Sequence, residues 1–397
     1  MDYSKFVKSL NRPLDGDVSP AFEKPAQVEI VVDKQGRPRQ AGAADAEGRA
    51  IVEFRERAEK SLYAFAKGVM GLSRLTPTLH RDVCQFVQKV PPYRRLGLLP
   101  RDHLKTSIVS RALPIHMLIQ PKGGLYLPDI EGCSTRILLS NETATNAEHF
   151  LRWIEARFES HGLLRALWPH RCWDNARRQS RKWNEKEMVV PRTEDFPEAS
   201  IETIGVGGAI TSRHYTALIK DDLVSIEAAN SPVVMADAIE WHRASRALLD
   251  DPDRSLEFIV GTRWSAQDLY QFIIDTDPTV EVYHRAAIED GEPIFPEMFP
   301  LDTLNRIRKE LGSVLFSLLY MNSAADPELV DFVADDVRRF EIIGEKLAFT
   351  EDERDMLIRK AKTPRVRPPQ DFTGMPLNRS TYDLIFGRGE YFRLKAR

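Results

Sequence analysis

Cysteine is scarce: the 397 residues hold three, Cys84, Cys133 and Cys172, with no C-x-x-C pair. That spacing argues against a disulfide framework or a zinc cluster and points to a reducing compartment. Long apolar runs are missing as well, and none approaches the ~18 residues a membrane helix needs. No apolar stretch follows Met1-Asp2-Tyr3-Ser4-Lys5, so no signal peptide is expected. Neither charge sign is in excess: Lys and Arg number 56, Asp and Glu 59, for a net charge of −3. A uniformly basic nucleic-acid coat is therefore excluded, whereas a local basic groove is not. Internal repeats and low-complexity blocks are absent. What is present, 42% hydrophobic and 29% charged residues, suits a globular protein with a buried core. At roughly 150 residues per domain, the length suggests two or three domains or one large domain with appendages.

Residues 1–50 read as a flexible N-terminal arm broken by Pro13, Pro20 and Pro25, with one β-like run, Val28-Glu29-Ile30-Val31-Val32, before the turn Asp33-Lys34-Gln35-Gly36. From about residue 51 the pattern turns helical, with Phe54, Ala58, Leu62, Phe65 and Val69 three or four apart. A second helix, over 80–90, ends at Pro91-Pro92. Short apolar runs at 96–99, 137–139, 216–219 and 258–260 then alternate with helical stretches at 105–113, 146–159, 234–249, 266–274 and 301–311. Continuous apolar strands alternating with helices predict an α/β fold whose mostly parallel sheet is covered on both faces. Residues 363–376, rich in Pro and Arg, read as a linker.

The most informative segment is Leu98-Leu99-Pro100-Arg101-Asp102-His103-Leu104-Lys105-Thr106-Ser107. It runs strand, turn, Lys-Thr, helix, which is the layout of a P-loop. There, helix-terminal amides cradle phosphates, the lysine bridges the β- and γ-phosphates, and the next hydroxyl binds Mg²⁺. Both P-loop glycines are missing, with Leu99 and Leu104 at their positions, so the backbone has less freedom to wrap a phosphate. The alternative is a surface Lys-Thr that merely starts a helix. A second element, Thr216-Ala217-Leu218-Ile219-Lys220-Asp221-Asp222, is an apolar strand interrupted by Lys220 and ending in two acids. Such a pair can hold Mg²⁺ and polarise water, or it can simply cap a turn. A third, Phe258-Ile259-Val260-Gly261-Thr262-Arg263-Trp264, ends a strand in a small residue and a hydroxyl that can sense a γ-phosphate. It also reads as an ordinary core strand.

Taken together and in this order, the segments resemble the large terminase subunits of tailed bacteriophages, the DNA-packaging motors. The resemblance spans roughly residues 50–325. Pro100-Arg101-Asp102-His103-Leu104-Lys105-Thr106 resembles the family's divergent Walker A motif. Gly205-Val206-Gly207-Gly208-Ala209-Ile210-Thr211-Ser212-Arg213-His214-Tyr215, leading into Leu218-Ile219-Lys220-Asp221-Asp222, is similar to its glycine-rich approach to Walker B. Val260-Gly261-Thr262-Arg263-Trp264 with Asp268-Leu269-Tyr270 looks like its coupling motif, and Phe295-Pro296-Glu297 with the 316–322 segment like the close of its ATPase domain.

The resemblance implies a P-loop ATPase of the ASCE (RecA-like) class over residues 51–325, with ATP and Mg²⁺ as cofactors. Pro100, Arg101, Asp102, His103, Leu104, Lys105, Thr106 and Ser107 would bind ATP, with Lys105 on the β/γ-phosphates. Thr106 and Asp221 would hold Mg²⁺. Asp222 takes the catalytic-carboxylate position, where many relatives have Glu. Arg101 would stabilise the γ-phosphate, and Arg213 would serve as an arginine finger for the neighbouring subunit. Gly261 and Thr262 would couple hydrolysis to movement. Implied partners are double-stranded DNA, a portal protein and a small terminase subunit, with a homo-oligomeric ring on the portal, no membrane, and action in the host cytoplasm at the procapsid.

Residues 326–397 are expected to form a linker and tail, too short for the family's nuclease domain. Asp331, Asp335 and Asp336 read as linker residues, and no DNA cleavage is expected from this chain alone. The densest basic run, Arg177-Arg178-Gln179-Ser180-Arg181-Lys182-Trp183, and the trio Arg306, Arg308 and Lys309 read either as DNA contacts or as solvated helix faces. Two other functions compete: a P-loop translocase or helicase outside packaging, and a non-hydrolysing structural subunit that binds DNA or portal.

Overall fold

The computed structural model describes residues 43–209 and 212–324, with side chains from residue 48, and the backbone of strands at 340–343, 346–349 and 375–376. The β-like run at 28–32, Ile210, Thr211, Asp331, Asp335 and Asp336 lie outside the described residues. Two compact units divide the chain, Met1–Asp326 and Pro327–Arg397.

The first unit is built on an eight-stranded sheet in the order β3-β4-β5-β2-β6-β7-β1-β8. Its strands are β1 (Arg94–Leu98), β2 (Ile137–Asn141), β3 (Trp183–Asn184), β4 (Glu187–Met188), β5 (Ile201–Gly205), β6 (Ala217–Asp221), β7 (Leu256–Gly261) and β8 (Glu281–His284). The six strands from β5 to β8 in that order pair in parallel, and the short β3 and β4 add an antiparallel edge. The four strands expected from apolar runs all lie at its centre, where both faces are buried and nothing calls for alternation.

Helices cover both faces. The main ones are α1 (Ala43–Lys60), α2 (His80–Gln88), α3 (Leu113–Ile119), α4 (Ala144–Ser160), α5 (Pro232–Ser245), α6 (Leu269–Thr276), α7 (Leu301–Leu311) and α8 (Ser313–Leu319). Ala217, Ile219, Phe258 and Val260 point to the face that packs Leu151, Ile154 and Phe158 of α4. Ile259 points to the other, against Met235 and Trp241 of α5 and Ile273 of α6. This is the α/β architecture expected, with one strand, β7, inserted between β1 and β6.

Three details differ from expectation. Helix α1 starts at Ala43, inside the stretch read as an arm; Ala43, Ala44, Ala46 and Ala50 are the best helix formers and outweigh Gly48. Lys220 does not break its strand but lies fully buried within β6, because Glu257 on β7 neutralises it. Strands β5 and β8 had no apolar run to announce them, since Ile201-Glu202-Thr203-Ile204 and Glu281-Val282-Tyr283-His284 mix polar and apolar residues. In the second unit, β9 (Phe340–Ile343), β10 (Lys346–Phe349) and β11 (Met375–Pro376) form a three-stranded antiparallel sheet. Met375–Pro376 thus closes a sheet at the end of the stretch read as linker. No described helix is long and apolar enough to cross a membrane.

Candidate nucleotide site

The sheet order sets the layout. Adjacent strands lie about 4.8 Å apart, so β1 and β6, with β7 between them, hold their C-terminal ends about 10 Å from each other. Residues that follow these three strands wall a cavity of about 620 Å³, lined among others by Arg101, Asp102, Leu104, Lys105, Thr106, Ser107, Asp222 and Thr262.

The loop after β1 reaches this geometry without glycine. Asp102 (φ 62°) and Leu104 (φ 61°) both take the left-handed conformation. For a branched side chain that costs on the order of 1–3 kcal/mol and persists only when the surroundings enforce it. The enforcement comes from residues some 200 positions away. The ring of His103, fully buried, stacks on Phe299 at 5.0 Å and meets the edge of Phe295 at 5.7 Å. Its Nδ1 lies 2.9 Å from the Arg101 carbonyl, and the Arg101 amide donates to the Leu319 carbonyl (2.8 Å). Burial pushes the His103 ring down to about 4, so it is neutral at pH 7. His103 therefore braces the loop from behind, whereas Arg101, Asp102 and Leu104 to Ser107 face the cavity. The helix that follows begins with amides that have no acceptor within the helix, as phosphate binding requires.

Lys105 crosses to the other two elements. Its Nζ lies 3.2 Å from Asp222 Oδ2 and 2.9 Å from Thr262 Oγ1. One residue on, Thr106 Oγ1 donates to Asp221 Oδ1 (3.2 Å), and Ser110 Oγ donates to Asp221 Oδ2 (2.6 Å). The Walker A and Walker B candidates thus meet directly. Asp221 is fully buried; that burial, and after it the neighbouring Asp222, raises its carboxyl, and the pull of Lys105 and the two hydroxyls only partly offsets this. Asp222 has a left-handed backbone (φ 43°), and its Oδ1 is buried without a hydrogen-bond partner.

At the Asp221–Asp222 pair one ammonium, that of Lys105, stands against two carboxylates and one oxygen is orphaned; the donors are hard oxygens, so the residues fit Mg²⁺. Among the described residues no cluster of three or more His, Cys, Asp or Glu side chains could hold a metal by itself. A cation held by Thr106 and Asp221 would complete its shell with waters and phosphate oxygens, as Mg²⁺ usually does.

The segment read as a coupling motif is tightly constrained. A Cβ on Gly261 would come within 2.1 Å of the Tyr270 ring, so no other residue fits there without displacing α6. Buried Asp268 accepts from Arg263 Nε (3.0 Å) and from the Trp264 amide (2.9 Å) and caps α6 through the Gln271 amide. Asn322, buried with φ 50°, bonds the Arg263 amide and the Arg285 carbonyl. The segment after Thr262 is thereby tied to the close of the unit.

Arg213 lies apart from this group. It is half-exposed, pairs with Glu202 of β5 (2.6 Å) and does not line the cavity. Of the basic run, Arg181 pairs with Asp195, Lys182 with Glu187, and Arg177 with Glu159. Arg308 sits over the Phe316 ring. Ser110, Asn141, Glu142 and Asn146 are among the cavity or contact residues that sequence reasoning left unread. Ser110 was legible, one helical turn beyond Thr106. Asn141, which donates to the Asp221 carbonyl (2.7 Å), Glu142 and Asn146 were not, because they are functional candidates only once β2 is known to flank β6.

No family model matches the chain, and no curated protein matches it. Among solved structures it is similar to that described as "Crystal structure of the HK97 bacteriophage large terminase", with a TM-score of 0.45 and 14% identity over 67% of this chain and 55% of that one. The chain thus spans about half the length of that protein.

Proposed function

We propose that this chain is an ATP-hydrolysing motor subunit of a viral terminase that drives double-stranded DNA through a portal into a procapsid. The single observation that carries the ATPase reading is the meeting of Lys105, Thr106, Asp221, Asp222 and Thr262 at one cavity. In this reading Lys105 leaves Asp222 for the β- and γ-phosphates, Arg101 approaches the γ-phosphate, and the helix-start amides hold the phosphate chain. Mg²⁺ on Thr106 and Asp221 would neutralise charge on the phosphate oxygens. Of the two carboxylates that follow β6 and β2 onto the cavity wall, Asp222 and Glu142, one orients the attacking water. Thr262 loses its contact to Lys105 when the nucleotide takes that ammonium, and the Arg263–Asp268 clamp beyond it passes the change to α6.

Packaging, portal and small-subunit contacts and a homo-oligomeric ring come from the motif resemblance. Arg213, outside the cavity and half-exposed, suits a residue offered to a neighbour in such a ring, where a finger is worth roughly 10³–10⁵ in rate. The test is phosphate release by rings assembled on a portal, with and without double-stranded DNA. DNA-stimulated release that Lys105→Ala abolishes is the expected result; equal, negligible release by the native chain and Lys105→Ala contradicts the motor reading.

A further inference from the structure

We propose that Glu142, rather than Asp222, is the carboxylate that takes the proton of the attacking water; this rests on the hydrolysis reading above. Strands β2 and β6 pair in parallel with Asn141 opposite Asp221, so the next residues, Glu142 and Asp222, leave the sheet side by side. The Glu142 amide donates to the Asp222 carbonyl (3.2 Å), and both residues line the cavity.

Strand order separates their roles. Read across the sheet, the strand ends run β1, β7, β6, β2. They present Lys105 after β1, Thr262 after β7, Asp221 at the end of β6 and Glu142 after β2. A phosphoryl group transferred to water needs the nucleophile on the side opposite the leaving group, with attacking and leaving oxygens roughly in line. The leaving ADP belongs at the β1 end, where the phosphate loop starts. The water then belongs at the far end of the row, where Glu142 stands. Asp222 points the other way: its Oδ2 reaches back 3.2 Å to Lys105, and its amide is pinned to the Val260 carbonyl (2.9 Å).

Glu142 is one methylene longer than Asp222 and is oriented by a neutral group. The Ser225 hydroxyl donates to Glu142 Oε1, and Ser225 Oγ itself caps the helix Ile226–Asn230 by accepting from the Glu227 amide. In the step, the water oxygen bonds to the γ-phosphorus, and the bond from that phosphorus to the bridging oxygen breaks with its electron pair going to ADP. The water's proton passes to the Glu142 carboxylate and from there to solvent, leaving inorganic phosphate. Ser225 is a positioning residue.

The test uses the full chain in rings assembled on a portal, with MANT-ATP for affinity, single-turnover phosphate release for the chemical step, and retention of MANT-ADP with aluminium fluoride as a transition-state readout. Glu142→Gln should bind MANT-ATP within about threefold of the native chain, lose roughly 10²–10⁴ in cleavage, and fail to retain the aluminium fluoride complex. Asp222→Asn removes the carboxylate that competes with phosphate for Lys105 and should bind MANT-ATP about three- to tenfold more tightly. Ser225→Ala should lower cleavage about tenfold with affinity unchanged. Cleavage by Glu142→Gln within about threefold of native, or an Asp222→Asn protein that alone holds ATP uncleaved, assigns the water to Asp222 and overturns the proposal. A native chain that binds no MANT-ATP removes the hydrolysis reading and this assignment with it. Circular dichroism of each variant separates a catalytic loss from a folding one.

Discussion

Adjacent residues of β6, Lys220 and Asp221, point to opposite faces of the sheet and enter two buried charge clusters of opposite character. On one face Lys220 is closed in. Its Nζ donates to Glu257 Oε1 (2.6 Å) and lies 3.1 Å from His242 Nδ1; Glu257 in turn holds Arg246 (3.0 Å), which also pairs with Asp277. Burial alone would raise Glu257, but Lys220, His242 and Arg246 outweigh it and hold the carboxyl down at about 2. On the other face Asp221 is raised and Asp222 keeps an orphaned oxygen. One cluster has its charges matched within the chain. In the other, two neighbouring carboxylates face a single ammonium. Burial of charge is common to both, and what distinguishes a candidate site from a structural network is the unmatched remainder.

The largest effect should come from unbalancing the closed cluster. Lys220→Met leaves the buried Glu257 carboxylate without its one fully buried partner and with only the partly exposed Arg246 and Arg94, and should cost roughly 2–4 kcal/mol in urea unfolding. Lys220→Met/Glu257→Met, which removes both charges, should recover more than half of that. Equal losses in the single and double variants would mean that the pair is not the source of the stability.

Acid should open the same cluster in two stages. Burial, then the nearby Lys220, lowers His242 to about 3. Because the unfolded chain takes up this proton below about 6.5 and the folded chain does not, stability falls as pH drops from 6.5 toward 3. Neutral His103, behind the loop after β1, adds to that loss down to about 4. Glu257, held low in the fold, contributes stability that is complete above about 4.5 and lost as pH falls toward 2. Thermal midpoints across pH should therefore slope downward in acid, and less steeply for the double variant. A midpoint flat from pH 7 to 4 would contradict the neutral buried histidines.

The open cluster should answer in the reverse sense. Asp221→Asn removes a strained carboxylate and should leave the nucleotide-free chain as stable as the native one or more stable by about 1 kcal/mol. A loss of several kcal/mol, of the kind expected for Lys220→Met, would place Asp221 among matched structural charges. The smallest effect concerns the loop itself. Leu104→Gly relieves the left-handed backbone but gives up packing and adds unfolded-state freedom, for a net change within about 1 kcal/mol, whereas Leu104→Ala keeps the strain without the packing and should cost about 1–2 kcal/mol. Differential scanning calorimetry distinguishes the two.

Fold class was legible because the central strands are buried on both faces and spell themselves out as apolar runs. Strands β5 and β8 were not, since their mixed polar and apolar sequences carry no run. Lys105, Thr106, Asp221 and Thr262 could be read from their places at strand ends. The support for the loop could not, because His103 finds Phe295 and Phe299 only through tertiary packing, and a missing glycine says nothing about what replaces its freedom. Glu142 was hidden for another reason: its interest lies in the adjacency of β2 and β6, which no local pattern records.

The most direct test of the central claim, that Lys105 and Asp221 serve one nucleotide–metal complex, is a MANT-ATP titration with and without Mg²⁺. Native affinity should rise with Mg²⁺, Lys105→Ala should bind weakly in both conditions, and Asp221→Asn should lose the Mg²⁺ dependence. Identical Mg²⁺ dependence in the native chain and Asp221→Asn, or full affinity in Lys105→Ala, would contradict it.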